Sequence, residues 1–196
     1  WERNVYIAVD DAGTILSVSR EKPSGAVEAA GGPVIPGMAN AHSHAFQRAM
    51  AGLAERLGSN EESFWTWRET MYSFQKSLDP AQVQAIAAQT YVEMLKNGYT
   101  AVAEFMYLHN MPDGRPYSPR ELMGLAHLEA ARESGIAITL LPSLYAYANF
   151  GDAPLNAMQK RFGLGTDDTL RMVTALRNAS RAEADVRVGV APHSLR

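Results

Sequence analysis

The hydrophobic pattern divides the chain into a short β-rich opening and a longer region of alternating strand-like and helical stretches. Residues 4–9 and 14–18 are short runs rich in β-branched and aromatic side chains, and residues 10–13 between them read Asp-Asp-Ala-Gly. Asp and Gly at such a connection are typical of a β-hairpin. We therefore predict a small antiparallel β-segment with its connection over residues 1–33 and a main domain over residues 34–196.

Helix boundaries in the main domain are marked by capping residues. Asp79-Pro80 begins one helix, and Gly98 follows it where a left-handed residue ends a helix. Ser118-Pro119 is predicted to begin the next helix in the same way, and Gly135 to end it. The pattern predicts strands over residues 34–38, 99–105, 136–142 and 186–191, and helices over 80–97, 119–134 and 167–182.

Strands that alternate with helices in this way are expected to be parallel. The runs are nearly continuous in apolar residues, which is typical of strands covered on both faces. Long loops follow each strand, so their side chains meet at the carboxyl ends of the strands, where α/β barrels and open sheets carry their sites. The sequence therefore predicts an α/β fold with its site at that edge.

His42 and His44 are the candidate metal ligands. In an extended segment alternate side chains point the same way, so the two imidazoles are expected on one face, about 7 Å apart along the strand, and Ser43 on the other. Two neutral imidazoles on one backbone segment suit a divalent cation, Zn²⁺ above all. On spacing alone, two solvated histidines in a surface loop are the alternative.

Composition narrows the class of protein. Hydrophobic residues make up 46% of the 196 residues and charged residues 20%, which is typical of a globular domain. The net charge is −3 and there is no basic block, so nucleic acid is not an expected partner. Cys is absent, which fits the cytoplasm, and no apolar run reaches about 18 residues, so we expect no membrane span.

Two motifs carry a resemblance to a known family. PGMANAHSH (36–44) resembles the opening motif of the amidohydrolase superfamily, in which H-x-H ends the first barrel strand and binds the metal. VAPHS (190–194) resembles the fourth-strand motif of its aminohydrolase branch. Within that branch the formimidoylglutamate deiminase family is similar over nearly the whole chain. The matching stretches are HSHAFQRAMAG (42–52), FWTWRE (64–69), AEFMYLHN (103–110) and APHSLR (191–196).

The resemblance implies a zinc-dependent hydrolase with one Zn²⁺ per active site. It implies hydrolysis of N-formimino-L-glutamate to N-formyl-L-glutamate and ammonia in histidine degradation, by a cytoplasmic homodimer. The fold it implies is a (β/α)8 barrel, with the N-terminal β-segment forming part of a small β-sandwich beside it. By the same resemblance the metal ligands are His42 and His44, and the substrate-binding residues are Gln47, Arg68, Tyr107, His193 and Arg196.

Four of the five substrate-binding residues have both a chemical reason for that role and an alternative role. Arg68 and Arg196 match the two carboxylates of a glutamate moiety, since a guanidinium binds a carboxylate through two parallel hydrogen bonds. Stacking of Arg68 on tryptophan, or a loop charge at Arg196, would be structural instead. Gln47 offers an amide that donates and accepts, or a polar helix start. Tyr107 offers a hydroxyl to the site, or aromatic packing.

The chain is expected to be the N-terminal half of such a barrel. It contains four barrel-type strands, and a closed barrel requires about 200 to 400 residues. A catalytic zinc site has about three protein ligands, and the resemblance places the further ligands and the general acid and base after later strands. We therefore assign no general acid or base within residues 1–196, and we expect this length alone to be inactive and to bind zinc weakly.

Two other functions remain open from the sequence. Another aminohydrolase, acting on guanine or an adenosine derivative, would have the same metal motif, although two site arginines favour a dicarboxylate. A metal-free, non-catalytic barrel homologue that acts in assembly is the alternative from another class. Such relatives usually lose the H-x-H pair, which is intact here.

Overall fold

The computed structural model describes residues 2–53 and 64–194. The chain divides into two compact units, Trp1–Pro36 and Gly37–Arg196. The domain division predicted after residue 33 stays a prediction.

The first unit contains the predicted hairpin. Strand β1 (Tyr6–Val9) pairs antiparallel with β2 (Ile15–Ser19). Asp10 organises the turn, because its Oδ1 accepts the main-chain N–H groups of Ala12 at 3.0 Å and Thr14 at 2.7 Å. Gly13 completes the turn at φ +79°, a conformation that glycine adopts without a steric penalty. The turn chemistry read from the sequence is therefore confirmed.

The second unit is a parallel α/β fold, as predicted. The elements are β3 (Met38–Ser43), a 3₁₀ turn (Ala45–Met50), α1 (Phe64–Gln75), α2 (Pro80–Lys96), β4 (Tyr99–Met106), α3 (Leu122–Ser134), β5 (Ala137–Leu144), α4 (Thr166–Ala179), β6 (Val186–Val188) and β7 (Ala191–Pro192). The strands have the order β3-β4-β5-β6, all neighbours are parallel, and β7 pairs with the end of β5. Within the described residues the sheet is open.

The first barrel strand lies later in the chain than predicted. Val34 and Ile35 lie outside the sheet and are 58% and 60% exposed, so the predicted strand over residues 34–38 is wrong. Pro36 lacks the N–H that a ladder requires, and pairing begins at Met38, whose N–H donates to Gly98 O at 3.0 Å. The histidine motif therefore lies within and directly after the strand, rather than on a loop that follows it.

Helix boundaries agree with the sequence at three of four predicted caps. Asp79 forms a capping box with Gln82, Gly98 follows α2 at φ +86°, and Gly135 ends α3 at φ +79°. The start predicted at Ser118 is wrong. Helix α3 begins only at Leu122, and its N-cap residue makes no side-chain cap hydrogen bond.

The core lies between the sheet and the helices. Val102, Met106, Ile138 and Leu140 alternate along β4 and β5 and are at most 2% exposed. The residues between them, on the opposite face of the sheet, are half-buried. The face that packs against the helices is therefore more completely covered than the other face. None of the helices in residues 2–53 and 64–194 combines the length and apolar character that crossing a bilayer requires.

Gly37 allows β3 to approach β4 closely. A Cβ atom at this position would lie 2.3 Å from Cγ2 and Oγ1 of Thr100, far inside van der Waals contact. We therefore expect G37A to lower the free energy of unfolding by about 1–3 kcal/mol through overpacking. Urea denaturation measures this change. Gly25 is the control, because a Cβ there meets nothing within 4 Å, and G25A should shift the free energy by less than about 1 kcal/mol. Equal effects of the two variants would contradict the close-approach argument.

Candidate active site

Three of the predicted site residues lie at the carboxyl edge of the parallel sheet. His42 lies at the end of β3, Tyr107 directly follows β4, and His193 directly follows β7. Because the strands are parallel, these positions meet at one edge. The sequence analysis expected side chains after the strands to meet at the carboxyl edge, and these three residues do.

The two motif histidines converge. Their Nε2 atoms lie 3.0 Å apart, and their rings meet edge to face with centroids 4.7 Å apart. The β3–β4 register shifts between Asn40 and Ser43, so the strand is irregular where it carries this pair. Such an irregularity re-aims side chains, and it brings the ring nitrogens closer together than a regular strand would. Ser43 is 7% exposed and faces away, as predicted.

His44 is held in one orientation. Its Nδ1 lies 2.9 Å from Phe105 O, and a ring nitrogen facing a carbonyl must carry the proton. The neutral ring then directs the Nε2 lone pair toward His42. Burial lowers the pKa of His44, and the Phe105 carbonyl and the Glu104 carboxylate partly oppose that change. The environment therefore favours the neutral imidazole that metal binding requires.

The pair fits a zinc ion. Two nitrogens bound to one tetrahedral Zn²⁺ at 2.0–2.1 Å lie about 3.3 Å apart, close to the observed 3.0 Å. The carbonyl partner on Nδ1 of His44 is the usual arrangement of a metal-binding histidine. In residues 2–53 and 64–194 no group of three or more His, Cys, Asp or Glu is placed around one ion. The described residues thus offer two ligands.

Aromatic rings join the histidine pair to the other predicted residues. The Tyr107 ring lies 4.7 Å from the His44 ring and 5.4 Å from the His193 ring, centroid to centroid. Tyr145, which the sequence reasoning did not select, stacks on His193 at 4.5 Å. Three predicted residues therefore share one contiguous wall, and Tyr145 extends it. Its place at the end of β5 was the signal that could have identified it.

Arg68 lies on α1 and is oriented by Tyr72 one turn later. Its Nε and Nη2 donate to the Tyr72 hydroxyl at 3.1 and 2.9 Å. The ring centroids of Tyr72 and Phe162 lie 5.7 Å apart, and those of Phe162 and Tyr107 lie 6.0 Å apart. Aromatic contacts therefore connect the guanidinium to the ring that lies beside His44.

Gln47 lies on the 3₁₀ turn that follows the histidines. Its main-chain N–H donates to His44 O at 2.9 Å, and its side-chain Nε2 lies 3.8 Å from the sulfur of Met71 on α1. The side chain is half-buried beside the helix that carries Arg68. Arg196 lies outside the described residues, so its predicted role stays a prediction.

The two remaining histidines are buried. His127 is 2% exposed within α3, in agreement with a structural role. His109 is fully buried, its Nε2 lies 2.9 Å from Ser143 O, and burial lowers its pKa to about 3. Its ring is therefore neutral throughout the ordinary pH range.

Two further charged residues support the site from within the core and were missed by the sequence reasoning. Glu104 is fully buried and accepts the N–H of Ala45, the residue after the histidine pair, at 2.8 Å. Arg161 is 1% exposed and donates to the carbonyls of Gln75 and Leu78, at and beyond the C-terminal end of α1. A charge within an otherwise apolar run, as in YTAVAEF (99–105), was the available signal for Glu104.

Comparison with known proteins identifies the family of this chain. The amidohydrolase family model matches residues 34–194. Formimidoylglutamate deiminase of Pseudomonas aeruginosa is 46% identical over 196 residues, which is 100% of this chain and 43% of that protein. A 5-methylthioadenosine/S-adenosylhomocysteine deaminase of Archaeoglobus fulgidus is 39% identical over 101 residues, which is 50% of this chain and 23% of that protein.

A solved structure agrees with the fold. The crystal structure of an amidohydrolase from Brucella melitensis superposes with a TM-score of 0.85 and 41% identity, covering 98% of this chain and 43% of that one. The chain therefore spans less than half the length of these relatives, and it corresponds to the N-terminal part of their barrel. This chain belongs to the amidohydrolase family, as shown by the family match, by the 46% identity that extends over the whole chain and by the parallel α/β sheet.

Proposed function

We propose that the complete enzyme, meaning a polypeptide that carries this chain with the rest of the barrel, is a zinc-dependent formimidoylglutamate deiminase. It hydrolyses N-formimino-L-glutamate to N-formyl-L-glutamate and ammonia, a step of histidine degradation. The observation that carries the proposal is 46% identity over the whole chain to the Pseudomonas aeruginosa deiminase. The converging histidine pair and its aromatic wall support it.

His42 and His44 are the residues that would hold Zn²⁺ through Nε2. When bound, the ion supplies the activation of water for attack on the formimino carbon. His44 contributes orientation, because the Phe105 carbonyl at 2.9 Å keeps its proton on Nδ1. Water adds to the C=N carbon, and the C–N bond to the leaving nitrogen breaks with two protons gained by that nitrogen. The general base and acid for these transfers are expected beyond this chain.

The other predicted residues bind the substrate. Arg68 holds one carboxylate of the glutamate moiety, and Arg196 is proposed for the second. Tyr107 and His193 flank the formimino end beside the metal ligands, since their rings lie 5.4 Å apart and Tyr107 touches His44. Gln47 offers its side-chain amide from the turn after the histidines. Binding at the carboxylates orients the reacting carbon.

Ammonia release tests the proposal. The complete enzyme, loaded with Zn²⁺, is expected to release one ammonia per N-formimino-L-glutamate and to form N-formyl-L-glutamate. Removal of the metal with a chelator should abolish the activity, and added Zn²⁺ should restore it. An enzyme that holds zinc and leaves this substrate unchanged would contradict the assignment.

An adenosine-derivative deaminase is the second candidate, favoured by the 39% identity to the Archaeoglobus fulgidus protein over 101 residues. A panel of 5-methylthioadenosine, S-adenosylhomocysteine, guanine and N-formimino-L-glutamate separates the functions. We expect the linear amidine alone to react, because the two site arginines match a dicarboxylate. Cytoplasmic location, a homodimer and inactivity of the 196-residue length by itself stay predictions.

A further inference from the structure

We propose that Glu104 is a positioning residue for the metal-binding histidines. This inference rests on the proposed function, because it concerns the same metal site. Glu104 lies on β4 with its side chain fully buried on the helix-covered face of the sheet, where its Oε1 accepts a main-chain N–H. Its action is therefore exerted through the backbone that it holds.

The peptide unit between His44 and Ala45 is bonded at both ends. Its N–H, on Ala45, donates to Glu104 Oε1 at 2.8 Å, and its C=O, on His44, accepts from Gln47 N at 2.9 Å. Fixing this peptide plane fixes ψ of His44, which is 78°. The chain leaves the strand at this point, so ladder hydrogen bonds no longer restrain it. A side chain restrains the peptide instead.

The same segment of β4 also fixes the imidazole ring. Phe105, the residue after Glu104, accepts from Nδ1 of His44 at 2.9 Å. Two neighbouring residues on one strand thus restrain His44 at its main chain and at its ring. Together these restraints determine where the Nε2 lone pair points.

His127 of α3 lies next to the Glu104 carboxyl group. Its Nδ1 lies 2.8 Å from Met123 O and therefore donates, while its Nε2 lies 3.7 Å from Glu104 Oε1. Tyr91 of α2 adjoins the same group, since burial and the Glu104 charge raise the pKa of its hydroxyl. Helices α2 and α3 therefore each place one side chain near this carboxyl group.

Two substitutions separate positioning from simple charge. E104Q keeps an oxygen for the Ala45 N–H and loses the charge, whereas E104D keeps the charge and withdraws the oxygen by one methylene. If the hydrogen bond positions His44, the complete enzyme with E104Q should bind Zn²⁺ like the wild type. E104D should bind it about 10-fold or more weakly, as is typical when support of a metal ligand is lost.

Zinc affinity, measured by chelator competition, and the absorption spectrum of the Co²⁺-substituted enzyme are the readouts. L128A is the control for general loosening, because Leu128 is fully buried in the same helix layer and contacts the core. It should lower thermal stability and leave both readouts unchanged. E104D with wild-type affinity and spectrum, an affinity loss in E104Q larger than in E104D, or an equal loss in L128A would each overturn the positioning role. A wild-type enzyme without bound metal would overturn the proposed function, and this role with it.

Discussion

The double variant H42A/H44A is expected to abolish the activity of the complete enzyme and its stoichiometric zinc. The two Nε2 atoms lie 3.0 Å apart and belong to the two residues proposed to bind the metal within the described part of the chain. Metal activation of water lowers the barrier by several kcal/mol, so its loss corresponds to a fall in kcat/KM of about a thousandfold or more.

Metal analysis by mass spectrometry and the rate of ammonia release measure the effect. S43A is the matched control, because Ser43 lies between the two histidines and its side chain faces away from them. S43A should retain the zinc, and its rate should stay within about tenfold of the wild type, since the Ser43 hydroxyl points away from the proposed metal and substrate site. Full zinc occupancy in the double variant would show that the metal is held elsewhere in the barrel.

The sequence predicted best those features whose partners are close in the chain. Asp79 and Gln82 form a reciprocal cap three residues apart, and Gly98 and Gly135 end their helices through local backbone conformation. Such features depend on a few neighbouring residues, so the residue types suffice to identify them. Ser118 was wrong because a Ser-Pro pair is also compatible with a loop, and only packing places the first turn of α3 at Leu122.

Features that depend on distant residues were not accessible in the same way. Glu104 meets Ala45 across 59 positions, and Arg161 meets Gln75 across 86. The strand pattern marks Glu104 as a charge among apolar residues but does not identify its partner, and no local pattern marks Arg161. Strand β3 was misplaced for a related reason, since Val34 and Ile35 have high strand propensity but find no neighbour in the sheet. The histidine motif was identified because His42 and His44 are only two residues apart.

Arg68 is expected to provide the second large effect. Replacement by methionine should lower kcat/KM for N-formimino-L-glutamate about 100-fold, mostly through KM, because a desolvated carboxylate loses a charge-assisted, paired hydrogen bond. R68K should recover only part of this loss. Tyr72 orients the planar guanidinium through Nε and Nη2 at 3.1 and 2.9 Å, and an ammonium has no such fork.

Steady-state kinetics with two shortened substrates locate the contact. The formimino derivative of 4-aminobutyrate lacks the α-carboxylate, and that of 2-aminobutyrate lacks the side-chain carboxylate. If Arg68 binds one carboxylate, R68M should change kcat/KM little for the substrate that lacks that carboxylate. For the other shortened substrate, R68M should lower kcat/KM by the full factor. R171M is the matched control, because Arg171 is exposed on α4 and pairs with Asp168 at 2.7 Å. An equal loss with both shortened substrates would place Arg68 in the support of α1 rather than in contact with a carboxylate.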